Sequence, residues 1–559
     1  MPLDTVTNAN NDVITSPLAM LYKREQQTPN THYMTQPLPG GDNRTYTWAQ
    51  TLQEARKVAA KLKSLNYEPS TRIGILAKNT AEWVITDIGI MMAGYVSVPI
   101  FSTAGSDTIA YVLEHAECPL LFIGKLDSTE AVREVIKDSP DLVTVAFPYA
   151  NTPGEHQYNE FIDVEPLDQN PVPDINNIMT IIYTSGSTGQ PKGVVHSYAS
   201  ICWAAKNSLN ALSTNDKDRM MSYLPLAHIT ERALVEFASF YSGMSLAFVE
   251  SLETFNRDVK NCQPTLFISV PRLWTKFQMG VLAKVPQKKL NFLLKLPIVG
   301  KKVAAKIRGE LGLGSTRLCA SGSAPLAPAT IEWFSKLGVD ISEGWGMTEN
   351  AAYGTSSVPF RTDKIGSIGK AYDGVDVRIA KDGEIQVKSP CNMIGYYKDN
   401  EKTMEVFTED GYLRTGDKGE MDADGYVRIT GRLKDIFKTE KGKYVAPAPI
   451  EAKIMENPIV EQVCVTGIGL PQPIALLVLS EDARAKDKQE ISASLLATLE
   501  SVNAKLDSHE RINNMLVLVE EWSIENDLLT PTLKVKRHVI EERFKEVILA
   551  KHTDKVVWN

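Results

Sequence analysis

The chain has 559 residues, 43% hydrophobic and 23% charged, with a formal net charge of −8. That balance excludes a mostly disordered or collagen-like chain, and at roughly 100–200 residues per domain the length allows about three to five structural units. The acidic surplus argues against nucleic acid as a general partner. In chain order, Met1 to Pro17 is polar and acidic where a signal peptide is basic and then apolar. Tyr46-Thr47-Trp48 opens a helical stretch to about Leu65, and Arg72–Ala77 reads as a short apolar strand. Asn79 is the expected N-cap of the next helix. The most apolar long stretch, Trp83 to Phe101, contains Asp87 and Gly94 and reads as a buried helix running into a strand rather than a membrane span. Tyr95–Pro99 and Pro119–Ile123 continue the alternation, which predicts an α/β unit with parallel pairing.

The same pattern recurs around Pro264–Val270, Thr316–Ser321 and Val339–Ser342, predicting a second α/β sheet. From Gly366 to about Thr430 strands are short, and Asp-Gly pairs recur at 373–374, 382–383, 410–411 and 424–425. These pairs predict hairpin turns and a β-rich subdomain. After Gly431-Arg432 a small α+β unit is expected. The predicted division is 1–431 and 432–559. Six cysteines lie far apart with no Cys-x-x-Cys, which argues against a zinc ribbon or dithiol redox site and reads as core thiols in a reducing, cytoplasmic compartment.

The chemistry-bearing segment is Ile181-Ile182-Tyr183-Thr184-Ser185-Gly186-Ser187-Thr188-Gly189-Gln190-Pro191-Lys192-Gly193. Glycines let backbone N–H groups approach oxygen, hydroxyls donate hydrogen bonds, and the ammonium offsets negative charge, a combination suited to polyphosphate. A flexible surface turn is the bland reading of such a run. It is not a Walker phosphate loop, because Pro191 precedes Lys192 and Gly193 follows it.

This segment resembles the signature of the adenylate-forming superfamily. So do Tyr223-Leu-Pro-Leu-Ala-His228-Ile-Thr-Glu-Arg232, Ser321-Gly-Ser-Ala-Pro325, Glu343-Gly-Trp-Gly-Met-Thr-Glu349, Arg414-Thr-Gly-Asp417, Gly431-Arg-Leu-Lys-Asp435 and Thr530-Pro-Thr-Leu-Lys534. Within the superfamily the chain most resembles long-chain fatty acyl-CoA synthetases, through Leu-Pro-Leu-Ala-His with Glu-Arg, Val270-Pro-Arg-Leu-Trp274 and Lys443-Tyr-Val-Ala-Pro447. The resemblance implies ATP-dependent activation of a carboxylic acid, of medium to long chain, to acyl-AMP with pyrophosphate release. Transfer to coenzyme A then gives acyl-CoA and AMP. Two alternatives stay open, an acyl-AMP ligase loading a carrier protein and a degenerate protein that binds acyl groups or nucleotide.

The resemblance also implies roles. Lys534, on a small mobile C-terminal domain, is the cation bridging carboxylate and α-phosphate, with Lys536 as rival. Thr184, Ser185, Gly186, Ser187, Thr188, Gly189 and Lys192 wrap the phosphates. Ser323, Glu343, Gly344, Trp345 and Gly346 belong to the ATP site, with Trp345 either on adenine or in the core. Thr348 donates to the α-phosphate. Glu349, with Thr184, holds Mg²⁺. Asp417 accepts the ribose hydroxyls and Arg432 reaches the ribose, unless the two merely form a buried pair. His228 lies near the carboxylate, or is a satisfied core histidine. Lys434 is the hinge, and Gly442 lines the CoA channel.

One segment stands outside these motifs. Residues 284–308 carry eight basic and no acidic side chains, interspersed with Leu290, Phe292, Leu293, Leu294, Leu296, Ile298 and Val299. This fits peripheral contact with the inner face of an anionic membrane, and it equally fits a solvated lysine face over a packed helix. The sequence leaves monomer and homodimer open.

Overall fold

The computed structural model describes residues 5–7, 13–149, 151–184, 190–524, 526–530, 533–550 and 552–559, with side chains from Thr15 onward. The chain is a mixed α/β protein with a large N-terminal portion and a smaller C-terminal unit. The first large sheet has eight strands in the order Gly395–Tyr396, Lys192–Ser197, Ile178–Thr184, Val96–Ile100, Arg72–Leu76, Leu120–Ile123, Val143–Ala146 and His156–Gln157. Its centre is parallel, with Ile73 facing both Ser97 and Leu120. Helices cover both faces, so Val96–Ile100 is buried at every position and reads as a continuous run rather than an alternation.

Helix Ala81–Ala93 is buried throughout, which accounts for its uniform apolarity. Its N-cap is Thr80, whose hydroxyl accepts from the Trp83 amide, and not Asn79. Asn79 is buried and ties down a distant loop instead: its amide donates to Ser222 Oγ (2.9 Å) and the Leu224 carbonyl (2.6 Å), and its oxygen accepts from Leu226 N–H (3.0 Å). Thr80 is one residue closer to the helix and satisfies the first turn; Asn79 is left to reach across the sheet edge. Tyr46 and Thr47 likewise end a strand, Asn43–Thr47, rather than begin the helix. Thr47 caps Trp48–Ser64 reciprocally with Gln50.

A second sheet runs Leu266–Ser269, Leu318–Ser321, Ile341–Trp345, Thr355–Ser356, Lys370–Ala371, its first three strands parallel. A four-stranded sheet not anticipated from the sequence pairs Arg219–Ser222 and Ser245–Phe248 with His32–Pro37 and Asn43–Thr47. Pairing between segments so far apart in the chain leaves no trace in either local pattern. The β-rich section forms an antiparallel sheet, Asp376–Ile379, Glu384–Lys388, Leu413–Met421, Val427–Arg432. The glycine of each Asp-Gly pair has φ between +76° and +87°, but only some turn hairpins: 382–383 and 424–425 do, whereas 373–374 leads from Lys370–Ala371 into a different sheet at Asp376–Ile379.

Beyond Arg432 come a small hairpin, Phe437–Lys438 with Tyr444–Val445, and a four-stranded sheet, Val460–Thr466, Ile474–Leu479, Met515–Leu518, Val556–Trp558. Helices sandwich this sheet. Ala475, Leu477 and Leu479 face one core with Ile450 and Leu495; Ile474, Leu476 and Val478 face another with Ile540 and Phe544. All six cysteines are free, and only Cys262 is not fully buried.

Candidate functional site

Strands Ile178–Thr184 and Lys192–Ser197 pair antiparallel with Thr184 opposite Lys192, so the glycine- and hydroxyl-rich run joins two sheet strands. Ser185, Gly186, Ser187, Thr188 and Gly189 lie outside the described residues. The Lys192 ammonium sits 5.2 Å from the centre of the Tyr396 ring. Burial, then the nearby Lys402 and Lys434 ammoniums, lowers its pKa, while Asp399 and Glu349 oppose the shift.

Strand Ile341–Trp345 brings the second group. Glu343 lies in register with Ser321, and a Cβ on Gly322 would stand 3.2 Å from the Gly344 carbonyl, so the two backbones approach closely there. Ser323 is exposed with φ +68°. Glu343 turns to accept from Gly366 N–H (3.2 Å), and burial pushes its carboxyl up to about 7. A Cβ on Gly346 would meet the Ala352 backbone at 2.6 Å, which makes glycine obligatory. The turn Thr348–Asn350 follows. Its Thr348 carbonyl accepts from His196 Nε2 (2.6 Å), so Nε2 carries the proton and Nδ1 accepts from Ser200 Oγ (3.0 Å). Burial drops the His196 pKa to about 4, consistent with a neutral ring. The Tyr396 hydroxyl donates to Glu349 Oε1 at 2.9 Å.

Asp417 and Arg432 face each other across strands Leu413–Met421 and Val427–Arg432. Arg432 Nε donates to Asp417 Oδ1 (2.9 Å) and Trp345 Nε1 to Oδ2 (2.9 Å). Each carboxylate oxygen retains acceptor capacity beyond these single bonds. One side of the Trp345 indole closes on Gly354, where a Cβ would lie 2.6 Å from the ring.

The C-terminal unit completes the cluster. Lys534 closes a tight loop, its carbonyl accepting from Thr530 N–H (2.8 Å) and its amide donating to Thr530 Oγ1 (3.0 Å). Leu533 before it has φ +59°, a strained choice for leucine. The Lys534 side chain keeps solvent access while surrounded by protein groups. Burial, then Arg432, lowers its pKa, and Asp417 and Glu349 oppose the shift. On the other side lies His228, whose pKa burial and then Lys534 push down to about 4. His228 Nδ1 accepts from Thr230 N–H (3.2 Å), so the neutral ring carries its hydrogen on Nε2.

Lys534, His228, Glu349, Asp417, Arg432, Trp345 and Lys192 are therefore linked by direct bonds or charge interactions, and Thr348 precedes Glu349 in the turn that His196 holds. Lys536 instead pairs with Asp527. Lys434 lies in a turn closed by Asp435 N–H on the Arg432 carbonyl (3.1 Å). Gly442 sits exposed in the Phe437–Val445 hairpin, where φ +76° requires glycine; a Cβ there would have Lys438 as its single near neighbour, at 3.6 Å. Arg272 of the N-terminal portion pairs with Glu461 of the C-terminal unit at the surface.

Two family models divide the chain: AMP-binding enzyme matches residues 21–397, and AMP-binding enzyme C-terminal domain matches residues 434–555. The chain belongs to the AMP-binding enzyme family. Long-chain-fatty-acid–CoA ligase FadD15 of Mycobacterium bovis is 29% identical over 581 residues, covering 95% of this chain and 96% of that protein. Fatty acyl-CoA synthetase A of Dictyostelium discoideum is 29% identical over 582 residues, covering 91% and 86%. The anthranilate CoA ligase AuaEII, solved with anthranoyl-AMP, shares the fold with a TM-score of 0.78 at 23% identity, covering 97% of this chain and 99% of that one. The adenylation domain of a Mycobacterium chelonae carboxylate reductase does so with 0.82 at 20% identity, covering 96% and 91%.

For this AMP-binding enzyme, four residues of the site had no site role assigned from the sequence, although Arg537 closes the Thr-x-Lys-x-x-Arg spacing around Lys534. Tyr396 holds Glu349 and faces Lys192; His196 fixes the Thr348 turn; Asn79 pins the loop before His228; Arg537 ties the Lys534 segment to Glu451 (2.7 Å). Only His196 and Arg537 stood close to a motif, four residues after Lys192 and three after Lys534. Tyr396 and Asn79 reach the site through sheet pairing and long-range packing, which carry no local signature.

Proposed function

We propose that this enzyme activates a medium- to long-chain fatty acid with ATP and transfers the acyl group to coenzyme A. The observation that carries the reading is the Lys534 ammonium standing among Glu349, Asp417, Arg432 and His228. Bringing a carboxylate to a polyphosphate opposes like charges, roughly 4 kcal/mol for each pair of unit charges about 4 Å apart at an effective dielectric near 20. A site that supplies cations and donors removes this barrier with little covalent chemistry of its own.

In the first half-reaction a carboxylate oxygen of the acid attacks the α-phosphorus. The new O–P bond forms as the bond to the bridging oxygen breaks, and pyrophosphate leaves with that electron pair. Lys534 offsets the charge of carboxylate and α-phosphate together. His228 offers its neutral Nε2–H to the carboxylate, and Thr348 its hydroxyl to the α-phosphate. Thr184, Lys192 and the 185–189 segment hold the β- and γ-phosphates. Asp417 accepts the ribose hydroxyls beside Arg432, and Trp345 offers its open face to adenine.

Glu349 and Thr184 are hard oxygen donors, and among the described residues no cluster of three His, Cys, Asp or Glu is disposed to hold a metal. This donor set fits Mg²⁺, which keeps waters and shares phosphate oxygens rather than filling a protein cage. When bound, Mg²⁺ neutralises phosphate charge. In the second half-reaction the coenzyme A sulfur attacks the acyl carbonyl, the S–C bond forms, AMP leaves, and the thiol proton passes to solvent. Rotation of residues 432–559 about Lys434 withdraws Lys534 and brings the Lys438–Lys443 hairpin with Gly442 to the thiol path.

The test measures pyrophosphate release over acids from acetate to oleate, with benzoates, followed by thioester detection with coenzyme A. Release peaking at medium to long aliphatic acids, with thioester formed, is the expected result. Release confined to benzoates, or none with any acid, overturns the reading.

A further inference from the structure

The basic segment 284–308 takes no part in the site. It forms the end of helix Pro271–Lys284 and two short helices, Gln287–Leu294 and Pro297–Glu310, joined at a sharp corner. The corner is tight: a Cβ on Gly300 would stand 2.6 Å from the Leu294 carbonyl. The inner face is filled. Leu290 and Ala304 are buried in a cluster with Trp274, Phe277 and Phe334, and Leu294, Val303 and Ile307 pack against it. Trp333 Nε1 donates to Gln287 Oε1 (2.9 Å), fixing the first short helix.

The outer face carries surplus apolar surface. Phe292 is 64% exposed and Ile298 73%, with Leu296 and Val299 exposed beside them. Four of the sixteen exposed large apolar side chains among the described residues thus fall within eight positions, which sets this corner apart from singly scattered ones. Around them Lys288, Lys289, Lys295, Lys301 and Lys302 are exposed, while Lys284 and Lys306 stand within electrostatic reach of Glu310. A reversal of charge sign on a chain of net charge −8, combined with apolar tips, is locally complementary to an anionic, apolar-cored surface.

We propose that this corner docks on an anionic lipid bilayer, with Phe292, Leu296, Ile298 and Val299 entering the headgroup boundary and the lysines contacting lipid phosphates. A second copy of the chain is disfavoured, because a two-fold interface places the same patch against itself and so opposes lysine to lysine. The inference rests on the fatty-acid reading for its purpose: a lipid-soluble substrate partitions into the bilayer the enzyme would sit on.

The test is flotation of the full chain with vesicles of equal parts phosphatidylglycerol and phosphatidylcholine, and with phosphatidylcholine alone, at low salt and at about 0.5 M salt. Binding to the anionic vesicles that is lost at high salt is expected. Replacing Lys288, Lys289, Lys301 and Lys302 by Gln should weaken it by roughly 600-fold, at about fivefold per lysine. The pair Phe292→Ser and Ile298→Ser should weaken it while leaving its salt dependence. Both variants should keep pyrophosphate release with a water-soluble acid, which shows that they fold. No binding to anionic vesicles, binding indifferent to both variants, or patch-dependent self-association or RNA binding in its place overturns the proposal. Failure of every acid to release pyrophosphate would strike the proposed function and leave the vesicle result to be judged by itself.

Discussion

In the proposed first half-reaction Lys534 works only as a cation, so the charges around it set the pH range. Burial and Arg432 hold its pKa below the ordinary lysine value of 10.5, and the rate should fall as pH rises through that lowered value. Arg432→Gln removes a positive neighbour, which raises the Lys534 pKa and moves the alkaline limb of kcat to higher pH at saturating ATP. A limb that stays put or moves down contradicts the assignment. Another buried group gives a stability prediction. Glu231, next to the His228 loop, has its carboxyl pushed up to about 8 by burial. Between its unfolded value near 4.5 and 8 the unfolded chain releases a proton that the folded chain keeps. Its contribution is therefore intact below about 4.5 and is lost as pH rises to 8, a cost on the order of a few kcal/mol. Glu231→Gln should raise Tm at pH 8–9 and leave it nearly unchanged at pH 4; a uniform loss of Tm at all pH values would mean that packing dominates. These shifts were not legible in the sequence. The motif residues could be named there, but burial is the largest cause of both shifts, and burial is set by how distant segments pack.

At the scale of elements, the central strands, the long helices and the Asp-Gly hairpins were legible because local chemistry decides them: burial on both faces, a cap, a positive φ. The misreadings sit where two local choices compete. Thr80 displaces Asn79 as cap by one position, and Tyr46-Thr47 satisfies a strand pairing before the helix begins. The His32–Pro37 sheet escaped because, beyond its local partner Asn43–Thr47, it is completed by Ser245–Phe248, roughly two hundred residues away in sequence. In the basic segment the sequence shows seven apolar residues of equal standing, and the fold sorts them. Leu290→Ala, in a filled core, should cost about 2–5 kcal/mol, whereas Phe292→Ser, two positions on, should stay within about 0.5 kcal/mol. Chemical denaturation of the two variants measures both; equal losses would place Phe292 in the core and remove the outer apolar face.

At the scale of the molecule, the C-terminal unit sets Lys534 near Asp417, Glu349 and His228 of the N-terminal portion, and the turn at Lys434 joins them. In the proposed cycle two tasks compete for that place, since a lysine that assists adenylation occupies space a thiol needs. Lys434→Pro fixes φ near −65° at the proposed hinge and should separate the tasks. Pyrophosphate release should persist, and thioester formation from supplied acyl-adenylate should fall at least about tenfold. Thioester formation at the normal rate would remove the hinge from Lys434.

The most direct measurement compares the two half-reactions in Lys534→Ala. Acid-dependent pyrophosphate release should drop on the order of 10²–10³-fold, while thioester formation from supplied acyl-adenylate and coenzyme A stays within a few-fold of the parent enzyme. Undiminished pyrophosphate release, or an equal loss in both halves, would contradict a lysine that acts in adenylation alone.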